Sequence, residues 1–156
     1  MLNTYNISRQ AVLDEIKKTT AYTDAMHAAL PEIPRVSIVD EDGEMLERYW
    51  RDACVQLTTA CKKYLSSVQI PAADGLPDPE GTFSFTLSTP PSWDAQLSDA
   101  VSSNAFSYVV NSMLAQWYAQ IGYKDAEVQA NIAEGILQSL KNILTVRKPP
   151  QKKDTI

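Results

Sequence analysis

Helical periodicity dominates the pattern of apolar and polar positions along the chain. From Ser8, a hydroxyl residue suited to cap a helix, apolar side chains recur at Val12, Leu13, Ile16, Ala21 and Met26. Pro31 and Pro34 forbid continuation, so the pattern predicts a first helix over 8–29. A clearer stripe of Leu46, Tyr49, Trp50, Ala53, Leu57, Ala60, Cys61, Tyr64 and Leu65 predicts a second helix over 42–66. After Pro90-Pro91, Ser92 opens a third helix carrying Leu97, Val101, Ala105, Tyr108, Val109, Met113, Leu114, Trp117 and Ile121, with Gly122 as its stop. A fourth starts near Lys124-Asp125, carries Val128, Ile132, Ala133, Ile136, Leu137, Leu140, Ile143 and Leu144, and ends at "VRKPP".

One stretch breaks the helical rule. "TFSFTLS", Thr82 to Ser88, alternates with period two and places Phe83, Phe85 and Leu87 on one face. A single strand leaves its backbone groups unpaired. Within the chain its candidate partners are "RVSIV" at Arg35–Val39 and "SSVQI" at Ser66–Ile70; otherwise another molecule completes it by β-augmentation. The loop before it holds Pro71, Pro77, Pro79, Gly75 and Gly81, and with the Pro90-Pro91 pair after it the strand would swing out from the helices.

The expected architecture is therefore mainly α, a bundle of about four helices with a small β element between the second and third. A single domain spans 1–146, with 66–91 projecting from it, and a basic extended tail follows at 147–156. That tail, "RKPPQKKDTI", concentrates Arg147, Lys148, Lys152 and Lys153 in a chain of net charge -5. It is expected to order only against an acidic partner surface.

Composition adds limits. At 156 residues and 44% hydrophobic, the chain can bury a core without a disulfide or metal. Its acidity argues against general nucleic-acid binding, which rests on many cationic phosphate contacts. No segment approaches the apolar length of a membrane span, and "MLNTYNISRQ" has no apolar core of signal-peptide length. Cys54 and Cys61 lie about 10.5 Å apart along a helix axis, too far to bond, and read as two buried thiols in a reducing, cytoplasmic setting.

Candidate chemistry is sparse. "DEDGE" places Asp40 and Asp42 at calcium-loop spacing, but the glycine comes fourth, at Gly43, and the twelfth residue is Arg51, so an acidic helix N-terminus is the better reading. His27, the sole histidine, reads as a solvated or helix-end residue, and pairs such as Asp14-Glu15 and Glu44/Glu47 have the spacing of an exposed helical face. No phosphate-binding or zinc-protease motif occurs. The expectation is a protein that is not an enzyme and carries no cofactor. Trp50, Tyr49, Trp117 and Tyr118 fit core packing first and partner contact second.

The order of parts resembles the head–tail connector (adaptor) proteins of tailed bacteriophages and prophages. The resemblance rests on "DEDGEMLERYWRDACVQLTTACKKYL", a β-containing insertion, "SYVVNSMLAQWYAQ" and "LTVRKPP", and covers roughly Asp40 to Pro150. It implies a ring of copies, twelvefold in that family, beneath the portal protein and against tail-side neck proteins, in a virion assembled in the bacterial host cytoplasm. By residue it implies ring contacts at Phe83, Phe85, Leu87, Trp50 and Trp117, and portal contact at Arg147, Lys148, Lys152 and Lys153. The extra amino-terminal helix and the Pro-rich insertion depart from the family pattern. The other class the sequence permits is a small acidic helical binding module that sequesters a basic partner.

Overall fold

The computed structural model describes residues 1–27, 35–39, 42–70 and 81–150. The chain begins with strand β1 (Leu2–Ser8), in which Tyr5 and Ile7 turn inward. Ser8 then caps helix α1 (Arg9–Met26), its hydroxyl accepting from the Ala11 N–H at 3.2 Å. Arg9, Val12, Ile16 and Thr20 form its buried stripe, while Met26 is 65% exposed. Helix α2 (Gly43–Ala60) buries Leu46, Tyr49, Trp50, Ala53, Cys54 and Leu57.

The second apolar stripe continues to Leu65, but the helix does not. A turn over Cys61–Tyr64, closed by the Tyr64 N–H to the Cys61 carbonyl at 2.9 Å, reverses the chain into strand β2 (Leu65–Gln69). Strand β3 (Thr82–Ser88) supplies the ladder that draws Leu65 out of the helix: the Ser88 N–H donates to the Tyr64 carbonyl at 2.6 Å. Both strand neighbours run antiparallel to β3, giving a three-stranded sheet of order β1-β3-β2. One of the two expected partners, the Ser66–Ile70 region, thus pairs with "TFSFTLS". Arg35–Val39 instead lies extended against the helices.

The sheet is one wall of the core, and the helices are the other. Phe83, Phe85 and Leu87 are at most 2% exposed, against Tyr5, Trp50 and their neighbours. Of the segment expected to project, 66–91, the strand β3 is thus interior, while β2 is exposed but hydrogen-bonded along it as an edge; residues 71–80 fall outside the described set. The physical reason is that strands on both sides satisfy the edges of β3, so its apolar face can close onto the bundle instead of seeking another chain.

Helix α3 (Ser98–Ile121) is entered through a short 3-10 turn at Ala95–Leu97, capped by the Asp94 carboxylate rather than by Ser92. It runs through the centre of the helical layer. Helix α1 lies parallel beside it, as shown by Tyr5 Oη to Ser98 Oγ at one end and His27 Nε2 to Tyr123 Oη at the other, both 3.1 Å. Gly122 stops α3 at φ 70°, where the Gly122 and Tyr123 N–H groups donate to the Ala119 and Tyr118 carbonyls. The chain returns antiparallel as α4 (Ala126–Thr145), burying Ala133, Leu137, Leu140 and Leu144. Val128 and Ile132, assigned to the same stripe by sequence, are 58% and 46% exposed.

The segment Arg35–Val39 is strapped down by side chains. Asp24 accepts from the Val36 and Ser37 N–H groups at 2.6 and 2.8 Å, and Trp117 Nε1 donates to the Val36 carbonyl at 2.7 Å. Burial opposes the Asp24 charge, yet the hydrogen bonds from Ser37 and Val36, with Arg35 nearby, hold its carboxyl below the ordinary value.

Because the β3 face is internal, Phe83→Ser and Phe85→Ser should each cost about 3–5 kcal/mol. Together they consume most of the stability of a typical domain. The double variant is expected to lose cooperative unfolding and much of its helical circular dichroism. A double variant with the native spectrum and melting curve would place these rings outside the core.

Candidate interaction surfaces

The aromatic residues assigned to contacts between copies do not form a surface. Trp50 is fully buried, with the Arg9 guanidinium 5.6 Å from its ring centroid and the Phe83 ring packed edge-on at 6.4 Å and 87°. Trp117 is 5% exposed and spends its N–H on Val36. Phe83, Phe85 and Leu87 complete the same interior. All five work within the chain, because each sits on an apolar face that a neighbouring element covers.

The basic segment is placed differently. Arg147 and Lys148 are exposed, just beyond α4, and the backbone there is held by Trp93. Trp93 is 1% exposed, its Nε1 donates to the Ile143 carbonyl at 3.0 Å, and it forms an antiparallel bridge with Arg147. The Lys148 N–H donates to the Ser92 carbonyl at 2.7 Å. Arg147 Nη1 reaches the Leu144 and Val146 carbonyls at 3.2 and 3.3 Å, where a cation suits the negative end of α4. The two described cations thus leave the body from a fixed point; Lys152 and Lys153 lie outside the described residues. Sequence reasoning missed Trp93, which sits among caps and prolines and belongs to no periodic stripe.

It also missed β1. Met1 and Thr89 exchange two backbone hydrogen bonds of 3.0 Å, and Arg9 N–H donates to the Gly81 carbonyl at 2.9 Å. With the register fixed by Leu2 opposite Ser88, bonded pairs alternate, so Asn3, Tyr5 and Ile7 bond inward to β3. The N–H and C=O groups of Leu2, Thr4 and Asn6 consequently point away from the sheet. The outer sheet face is uncharged and bonded to itself, Thr4 Oγ1 to Thr86 Oγ1 at 2.8 Å and Ser84 Oγ donating to Asn6 Oδ1 at 2.6 Å. The signal was present as the Thr4-Tyr5-Asn6-Ile7 alternation, too short to stand out beside a strong helix cap.

Shallow concave features occur among the described residues. A groove of about 310 Å³ runs between α1 and α4 over α3, with Phe106, Val110 and Leu114 in its lining and Glu15 as its sole charged side chain. Another lies beside Lys148, with Asp94, Gln96 and Pro149. Among the described residues no three His, Cys, Asp or Glu side chains are grouped to hold a metal ion. No helix among them is long and apolar enough to cross a membrane. His27 sits at the end of α1, its ring bonded to Tyr123.

Cys54 and Cys61 are both fully buried. Burial pushes the Cys54 thiol up to about 12, against the smaller opposing pull of Arg9, and the Cys61 thiol up to about 11, against that of Lys141. Such thiols are almost wholly protonated near neutral pH and therefore poor nucleophiles. Native protein treated with an aromatic disulfide reagent at mildly alkaline pH should react orders of magnitude more slowly than unfolded protein. Fast native labelling of either thiol would contradict this placement.

No protein-family model, curated protein or solved structure matches this chain.

Proposed function

We propose that this chain is a structural protein of the head–tail junction of a tailed phage, assembling as a ring between portal and tail. The observation that carries the reading is the exit of the basic segment. Arg147 and Lys148 lie exposed at the end of α4 in an otherwise acidic chain, the Arg147 guanidinium resting on the last carbonyls of the helix, and the backbone that carries them is fixed by Trp93 and Ser92. A basic arm launched from a rigid, closed body suits docking against an acidic surface on a larger assembly, where complementary charge sets orientation and encounter rate.

The ring contacts proposed from sequence need a new location, since Phe83, Phe85, Leu87, Trp50 and Trp117 are internal. Exposed apolar side chains remain on the helical side, Tyr22 and Met26 on α1 and Val128 and Ile132 on α4. Two different helices offering separate patches fit the heterologous contact that a cyclic ring needs.

Full-length chain mixed with the portal ring should co-migrate as a large closed assembly at moderate salt. The chain lacking 148–156, or carrying Arg147→Glu and Lys148→Glu, should keep its fold and lose at least tenfold in affinity, the equivalent of about 1.4 kcal/mol. Undiminished assembly by the truncated chain would remove the basis of the proposal. A small complex with a basic protein, in place of a ring, would favour the sequestering module.

A further inference from the structure

We infer that the open edge of β1 pairs antiparallel with β1 of a second copy of this chain, joining two three-stranded sheets into one. The two outer edges of the sheet are built differently. The β2 edge carries the usual safeguards against pairing: a register shift between Leu65 and Ser67, Lys62 and Lys63 just before the strand, and Pro71 just after it. Its unbroken register covers only Ser67 to Gln69. The β1 edge carries none. Leu2–Ser8 contains no lysine, proline or glycine, and it holds one register with β3 from end to end. No described strand lies beyond it.

The occupant follows from the positions of the outward-facing groups. Only the even-numbered residues of β1 direct their backbone N–H and C=O to the open side, so a partner strand must bring its own bonding groups to those positions. A second β1, laid antiparallel with Thr4 opposite Asn6 of the other copy, does so through the middle of the strand, and the ladder ends where Leu2 meets Ser8, whose carbonyl belongs to the first turn of α1. Each bonded pair then consists of two outward-facing positions. Because β1 has no charged side chain, the match opposes no like charges even though each chain is net -5. Met1 and Leu2, 57% and 65% exposed at the end of the edge, come to lie against the second copy. The contact uses the same patch on both chains, so it closes at two copies. It describes the free chain and is separate from the head-to-tail contacts of a ring.

The test is the mass of the purified full-length chain as a function of concentration, with two proline variants. Asn6→Pro removes a donor that faces outward and leaves the inward ladder intact, which an edge strand tolerates. Val68→Pro does the same on the β2 edge, since Ser67 and Gln69 make the inward bonds there. The wild type should approach twice 17.3 kDa at high concentration and dissociate on dilution. Asn6→Pro should be monomeric with native helical circular dichroism, and Val68→Pro should still dimerise. Hydrogen exchange on the wild type gives a reading that needs no variant: the amides of Leu2, Thr4 and Asn6 should slow at least tenfold as concentration rises, while those of Asn3, Tyr5 and Ile7 stay constant. A wild type that remains monomeric, a folded Asn6→Pro dimer, concentration-independent exchange at Thr4 and Asn6, or dissociation by Val68→Pro alone would each overturn the inference. A strand from another protein bound at β1 of a monomeric chain would overturn it too. Dimer formation without ring formation on the portal counts against the connector reading alone.

Discussion

A buried ion pair joins the first turn of α1, where the chain leaves the sheet, to α2. Arg9 Nη2 lies 3.1 Å from Glu47 Oε1, with the arginine side chain 1% exposed and the glutamate 14%. Arg9 is the first residue of α1, directly after β1, and its main-chain N–H is bonded to Gly81 at the entry to β3. Its guanidinium lies over Trp50 of α2, and Trp50 meets Phe83 of β3. The side chain of Arg9 thus meets α2 twice, at Glu47 and Trp50, while its main chain ties the β1–α1 junction to the entry of β3. Removing such a charge from water costs several kcal/mol, offset only where a partner is held in good geometry. That condition fixes the rotation of α2, because Glu47 must face inward, and fixes the height of β1 beside it. Cys54 sits within electrostatic reach of the pair, on the same face of α2.

From this junction the division between interior and surface follows. With β1 and β2 flanking it, β3 closes against α2 and α3, so the aromatic residues that look available in sequence are committed to the core. Among the described residues, what stays open at the surface includes the outer edge of β1, exposed apolar side chains of α1 and α4, and the basic exit held by Trp93.

Much of the architecture was legible because the helical stripes are long. Gly122 as the stop of α3, Ser8 as a cap and the strand at Thr82–Ser88 all appear where local chemistry demands them. The errors share one cause, which is that neighbours in space decide where local patterns conflict. Tyr64 and Leu65 continue the stripe of α2 and yet leave it, because β3 offers their backbone a ladder. Val128 and Ile132 fit the stripe of α4 and yet face outward, because α3 covers a narrower face than their spacing suggests. Arg9 looks like an ordinary surface cation until Glu47, distant in sequence, is placed beside it. For the candidate surfaces, the charge of the tail was legible from composition, whereas the β1 edge depended on a partner strand that only the fold supplies.

The Arg9–Glu47 pair ties α1, where the chain leaves the sheet, to α2, so that sheet and helices unfold as one cooperative body. Denaturant unfolding of Arg9→Met, followed both by near-ultraviolet signals of the buried aromatics and by helical circular dichroism, reads this coupling. The expected loss is about 3–5 kcal/mol, the range for leaving a buried charge without its partner, with much of it recovered in the Arg9→Met/Glu47→Leu double variant. A loss under about 1 kcal/mol, as for an exposed ion pair, with the two probes still coincident, would contradict it.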